Sequence, residues 1–130
     1  MSYDITIGAE SMNITTNISR LFYDHFPQTE RAAEEHGLTA DDIVKQARGG
    51  LFTLHGLTGL DAIDAIEVFF KNVELGMFKN RRPNQVGHPD FCAKYDAKNG
   101  WGSTLHALTW MARLLVACTR FPDERIQVSA

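Results

Sequence analysis

Disulfide chemistry is the first thing this sequence lacks. Its two cysteines, Cys92 and Cys118, stand in a polar stretch and inside an apolar helical pattern respectively, which is no framework of paired bridges. Such cysteine usage fits a reducing cytosol. The opening MSYDITIGAE has neither the basic start nor the apolar run of a signal peptide. No apolar run approaches the length of a bilayer span, so the expected setting is the cytosol of a host cell, without membrane contact.

The usual signatures of catalysis are missing too. The five histidines, at positions 25, 36, 55, 88 and 106, include no two at the spacing that sets both rings on one metal. His88 and Cys92 make a half-site at most. No glycine pattern matches a phosphate loop, a dinucleotide fingerprint or a nucleophile elbow. The expectation is a protein without catalytic residues, metal or cofactor, although chemistry at Cys92, with His106 as partner, or at His55 is an alternative that sequence leaves open.

Charge is also scarce in one sense, with a net value of −3 that hides an uneven split. Residues 1–78 carry 5 basic and 12 acidic groups, whereas residues 79–130 carry 8 and 4. A general nucleic-acid binder needs a concentrated basic face, so direct nucleic-acid binding is not expected. The local exception is KNRRPNQVGHPDFCAK, from Lys79 to Lys94.

What is present reads as one domain over residues 1–130, with 44% apolar and 22% charged residues. A chain of that length buries about two thirds of the surface it would expose unfolded. YDITI near the start and RIQV near the end alternate apolar and polar residues with the period of half-buried strands, and the two are expected to pair. Asn13 is placed to cap a helix through Ile14, Ile18, Leu21, Phe22 and His25, ending at Pro27. A short helix over QTERAAEEHG and a longer one from Thr39 to Gly56 follow, the latter weakened by Gly49 and Gly50. Thr58 then caps an amphipathic helix with Asp61, Asp64, Glu67 and Glu74 on one face and Leu60, Ile63, Ile66, Phe70, Val73 and Met77 on the other. That acidic face is one candidate contact surface. The final helix, STLHALTWMARLLVACTRF, is apolar on nearly every side and is expected at the centre, capped by Ser103 or Thr104 and closed by Pro122. The fold class is therefore α+β, mainly helical: a compact helical core around the C-terminal helix, with a small sheet from the two terminal strands.

Between the last two long helices, residues 79–102 show little periodicity beyond a turn of helix at PDFCAKY. Long connections in compact domains commonly carry function. The candidate binding residues are Lys79, Arg81, Arg82, His88, Lys94 and Trp101. Trp101 stands between Gly100 and Gly102, where the chain must turn sharply. Its indole is expected to fold back onto the first turn of the last helix as a staple, with a ligand platform as the alternative.

The segments MSYDI, NITTN, LHGLTG, NGWGSTLHAL and IQV together resemble a group of small hypothetical proteins encoded by bacteriophages and prophages. The resemblance runs along most of the chain and implies an N-terminal strand, an asparagine-rich helix start, a glycine helix junction and a tryptophan before the last helix. PQTERAAEEHGLTADDIVKQ departs from the group. No general activity attaches to the group. Small phage proteins of this kind commonly bind host machinery, so the resemblance implies an accessory factor that binds a host protein or complex and inhibits a defence assembly of CRISPR type. Alternatives are a sponge for a nucleotide signal, with Lys79, Arg81 and Arg82 on phosphate and Trp101 on the base, or a virion component. A homodimer through an apolar helix face is a further possibility, though no heptad repeat supports it.

Overall fold

Gly8 and Ala9 close a two-residue hairpin between strands β1 (Ser2–Ile7) and β2 (Glu10–Thr15). Gly8 sits at φ 55, the left-handed backbone that such a loop requires. The described residues of this computed structural model are 1–27, 37–79 and 88–130. A third strand, β3 (Gln127–Ser129), lies antiparallel on the other side of β1, giving the order β2-β1-β3. The two ends of the chain thus share a sheet, as the alternation predicted. β2 is the addition. It replaces the expected helix start, because Asn13 is not a cap but a strand residue opposite Asp4.

The sheet has one dry face and one wet one. Tyr3, Ile5, Ile7, Ile14 and Val128 are buried, while their sequence neighbours point to solvent. Thr15 then accepts a hydrogen bond from Asn17 N–H and opens a 3₁₀ turn at Thr16–Ile18, which leads into helix α1 (Ser19–His25). Phe26 and Pro27 end α1. The expected helix over QTERAAEEHG falls almost wholly outside the described residues.

Thr39 and Asp42 cap helix α2 (Ala40–Gln46) reciprocally, each side chain taking the other's backbone N–H. The helix stops there. Gly49 and Gly50 adopt φ 74 and 57, which a continuing α-helix does not tolerate, and the chain re-forms as a buried 3₁₀ turn over Gly50–Leu54.

Helix α3 (Gly59–Lys79) begins where Thr58 Oγ1 accepts from Asp61 N–H at 3.3 Å. Helix α4 (His88–Tyr95) and helix α5 (Thr104–Arg120) follow. Ser103 caps α5 by accepting from His106 N–H at 3.1 Å. α5 packs chiefly against α3 and also lies against β2, so it is central, yet it is not apolar all round. Leu105, expected inside, is 51% exposed, and Val116 on the same side is 53% exposed. Leu60 of α3, also expected inside, is 62% exposed. In both helices the buried stripe includes alanines: Ala62 and Ala65 beside Ile66 and Phe69 in α3, and Ala107 beside Trp110, Met111 and Leu114 in α5. Small side chains at the crossing let the two helices approach closely.

Aromatic rings fill the space between these layers. Phe22, Phe69 and Trp110 are buried together, and Phe26 stacks on Phe69 with centroids 4.7 Å apart. Each such side chain contributes roughly 1.5 to 3 kcal/mol through burial. The architecture is α+β and mainly helical, with a three-stranded antiparallel sheet. No helix among the described residues is long and apolar enough to cross a membrane.

Candidate functional site

The turn before α5 is fixed from several directions. Asp96 Oδ1 accepts from both the N–H and the hydroxyl of the buried Thr104, at 2.6 and 2.7 Å. Ala97 N–H donates to Gly102 C=O at 2.8 Å, and Gly100 N–H to Ala97 C=O at 3.1 Å. Gly100 and Gly102 take φ 79 and 155, backbone that a side chain would strain. Gly102 also has Thr15 against it, since a Cβ at this glycine would lie 3.1 Å from Thr15 Cγ2.

Both polar groups of the Trp101 peptide are held by asparagines. Its N–H donates to Asn99 Oδ1 at 3.0 Å, and its carbonyl accepts from Asn17 Nδ2 at 3.1 Å. The indole does the opposite of what the staple predicts. It is 76% exposed, the ring turned outward from a backbone that has little freedom. The glycines form the sharp turn that the sequence predicts, but the turn aims the side chain at solvent and not at the core. Leu105, half exposed, stands one helical turn further on.

The other candidates fall into four groups. Lys94 is exposed on the last turn of α4, with its ammonium 5.2 Å from the ring centre of Tyr95. Lys79 and His88 are placed by their backbones as the last residue of α3 and the first of α4. Arg81 and Arg82 lie outside the described residues. On α3, Asp64, Glu67 and Glu74 are exposed and Asp61 is half-buried at the first turn. That face is mixed and not purely acidic, because Val68, Leu75 and Phe78 are exposed among the carboxylates.

No protein-family model, curated protein or solved structure matches this chain.

His55 and Cys92 are buried in structural roles, whereas His106 is exposed in the first turn of α5. His55 is 3% exposed. Its Nδ1 accepts from Val128 N–H at 3.0 Å, which places the ring proton on Nε2, and that nitrogen donates to Asp42 Oδ1 at 3.0 Å. Asp42 is held below its ordinary value first by the Thr39 N–H and further by His55. Gln46 donates to the His55 backbone carbonyl at 2.8 Å, so through its ring and its backbone one buried residue joins α2 to β3. Cys92 is buried, and burial, followed by the charge of Asp96, pushes its thiol above the usual range. Burial raises Cys118 to about 11. Neither thiol has the lowered pKa of a nucleophile. Among the described residues no three His, Cys, Asp or Glu side chains gather as a metal site.

A surface that sequence reasoning missed lies beside the Trp101 turn. β2 is an edge strand, and α5 runs alongside it in the opposite direction. Asn17, just past the end of β2, meets Trp101 before the start of α5, and Glu10 at the beginning of β2 meets Arg120 at the end of α5, with Nη1 and Oε1 2.9 Å apart. Between them opens a groove of about 340 Å³ lined by Glu10, Met12, Arg113, Val116 and Arg120. Its signal was hidden in the sequence, because β2 itself was read as a helix start.

Proposed function

We propose that this protein is a non-enzymatic binding module that acts in the bacterial cytosol on a host protein, with Trp101 as its principal contact. The observation that carries the proposal is the pairing of a mostly exposed indole with a residue whose backbone is fixed at both its N–H and its C=O. Tryptophan exposed to water carries a hydration cost that a partner relieves, and a pre-formed backbone lowers the entropy lost on docking. Tryptophan is among the residues most enriched at interface hot spots. The resemblance to small phage-encoded proteins supports a host macromolecule, and a defence complex is the first class to test. The occupied state of His55 and the raised thiols of Cys92 and Cys118 favour binding over catalysis.

The test compares the tagged wild-type chain with Trp101→Ala in capture from bacterial lysate and in a phage-defence assay. Because the side chain is exposed, the variant is expected to unfold within about 0.5 kcal/mol of wild type. Partner affinity should fall about 30-fold or more, the loss of a hot spot worth about 2 kcal/mol. Equal capture and equal effect on defence by the variant removes Trp101 from the contact. A thermal shift with nucleotides, abolished by Trp101→Ala in the absence of any protein partner, replaces the reading with the nucleotide sponge.

A further inference from the structure

The edge of β2 has a definite pattern of free backbone groups. Ile7 and Glu10 flank the two-residue hairpin loop and form a hydrogen-bonded pair, and the alternation then makes Ile5 with Met12 and Tyr3 with Ile14 hydrogen-bonded pairs as well. Ser11 and Asn13, lying between them, turn their N–H and C=O away from β1. Among the described residues nothing pairs with that side of the strand, since β2 ends the sheet. ESMNIT holds no proline, no lysine and no bulge, so three of the devices that blunt an edge are absent, and its one charged side chain, Glu10, is paired with Arg120.

Alongside this edge lies the exposed side of α5. Leu105, Thr109, Arg113, Val116 and Arg120 are exposed there at helical spacing, and the groove beside β2 reaches Arg113, Val116 and Arg120. Arg120 is paired with Glu10, whereas Arg113 has no acidic side chain within ion-pair distance among the described residues. The groove therefore combines an apolar floor at Met12 and Val116, one uncommitted guanidinium and a row of backbone donors and acceptors. The Trp101 turn stands at its far end, beside Thr15 and Asn17. From Glu10 to Thr15 the edge spans about 17 Å, which is the reach of a short extended segment.

We infer that β2 is a docking edge for an extended segment of a partner protein, added antiparallel as a fourth strand, with apolar residues over Met12 and Val116 and an acidic residue at Arg113. Strand addition of this kind draws affinity from main-chain hydrogen bonds and specificity from alternate side chains. The added strand sends every second side chain toward α5 and the others onto the wet face of the sheet. The recognised segment thus turns an apolar and an acidic side chain, two positions apart, toward the groove, and the residues on the wet face are free to vary. The inference rests on the binding-module reading above and specifies how the partner engages.

The probe is the heptapeptide Thr-Val-Thr-Asp-Thr-Val-Thr, titrated into the isotope-labelled full chain while backbone amides are followed by NMR. Shifts centred on the amides of Ser11, Asn13 and Arg113 are expected. Two altered peptides are expected to bind at least about tenfold more weakly. One carries lysine in place of the aspartate. The other is N-methylated at its internal threonines and so cannot pair with the edge. Asn13→Pro removes one outward N–H without costing a bond to β1, a position at which an edge strand accepts proline, and should weaken the parent peptide similarly. Absence of shifts up to the solubility limit, shifts confined to other elements, or equal affinity for the methylated peptide overturns strand addition. Capture of the natural partner that fails in Trp101→Ala but survives in Asn13→Pro keeps the binding module and discards the docking edge.

Discussion

Removing the His55 ring strands two groups at once, because Val128 N–H loses its acceptor and Asp42 loses a donor. A buried donor left without a partner costs about 1 to 3 kcal/mol, and the vacated space adds to it, so His55→Ala should destabilise by about 2 to 4 kcal/mol. His55→Asn places an amide oxygen near the position of Nδ1 and should recover part of the loss. Urea unfolding measures both variants, and amide exchange at Val128 should quicken in the alanine variant alone. The same scale shows where sequence reading ran out. The junction that holds His55, between Leu54 and Gly56, was legible from its glycine. The direction of Trp101 was not, because a staple and an outward platform share one local pattern of asparagine, glycine and tryptophan. What separates them is Asn17, which reaches the Trp101 carbonyl from 84 residues earlier.

Element by element, the long helices were the most legible, since α3 and α5 carry strong apolar periodicity and capping residues at the positions observed. β2 was not legible. Ile14, Ile18, Leu21 and Phe22 recur at helical intervals although a strand, a 3₁₀ turn and a helix divide them, and Asn13 before them imitates a cap. The hairpin loop at Gly8 decides the matter by turning residues 10–15 back along β1. Gly59 shows the same contest between local and tertiary preference. Alanine is the better helix former by about 1 kcal/mol. Here a Cβ would run into the carbonyl oxygen of Phe121 and would lie 2.6 Å from that of Cys118, so the start of α3 touches the end of α5 backbone to backbone. Gly59→Ala should therefore destabilise by about 1 to 3 kcal/mol despite the gain in propensity. Thermal unfolding checks the sign, and a stabilised variant contradicts the close approach.

For the molecule as a whole, stability should fall in mild acid through one buried side chain. His25 lies among Phe69, Phe91 and Tyr95, with Nδ1 2.6 Å from the Leu21 carbonyl. Burial lowers its pKa from 6.5, outweighing the Leu21 hydrogen bond and the charge of Asp24, while Lys94 acts in the same direction as burial. The unfolded chain then binds more protons than the folded one between the two values. The contribution is present above about pH 6.5 and is lost as pH falls below it toward the folded value. Asp42, whose folded pKa is depressed below 3.8, gives up its contribution only in stronger acid. The urea midpoint of the wild type should drop between about pH 7.5 and 5.5, and His25→Phe should flatten that slope. An unchanged slope in the variant moves the effect to other groups.

The place of β1 between β2 and β3 also sets an order of events during translation. The ribosome makes Ser2–Ile7 long before Gln127–Ser129, yet the two must lie side by side. While the intervening helices emerge, the hairpin carries two open edges instead of one, and the apolar face of β1 waits for Val128. Gly56 and Leu57 wait as well, since each bonds to Ile126 just ahead of β3. The closing contacts of this sheet span the described helices in sequence, so the nascent chain completes it only after those helices have been synthesised, and until then it presents strand edges to chaperones and to other nascent chains.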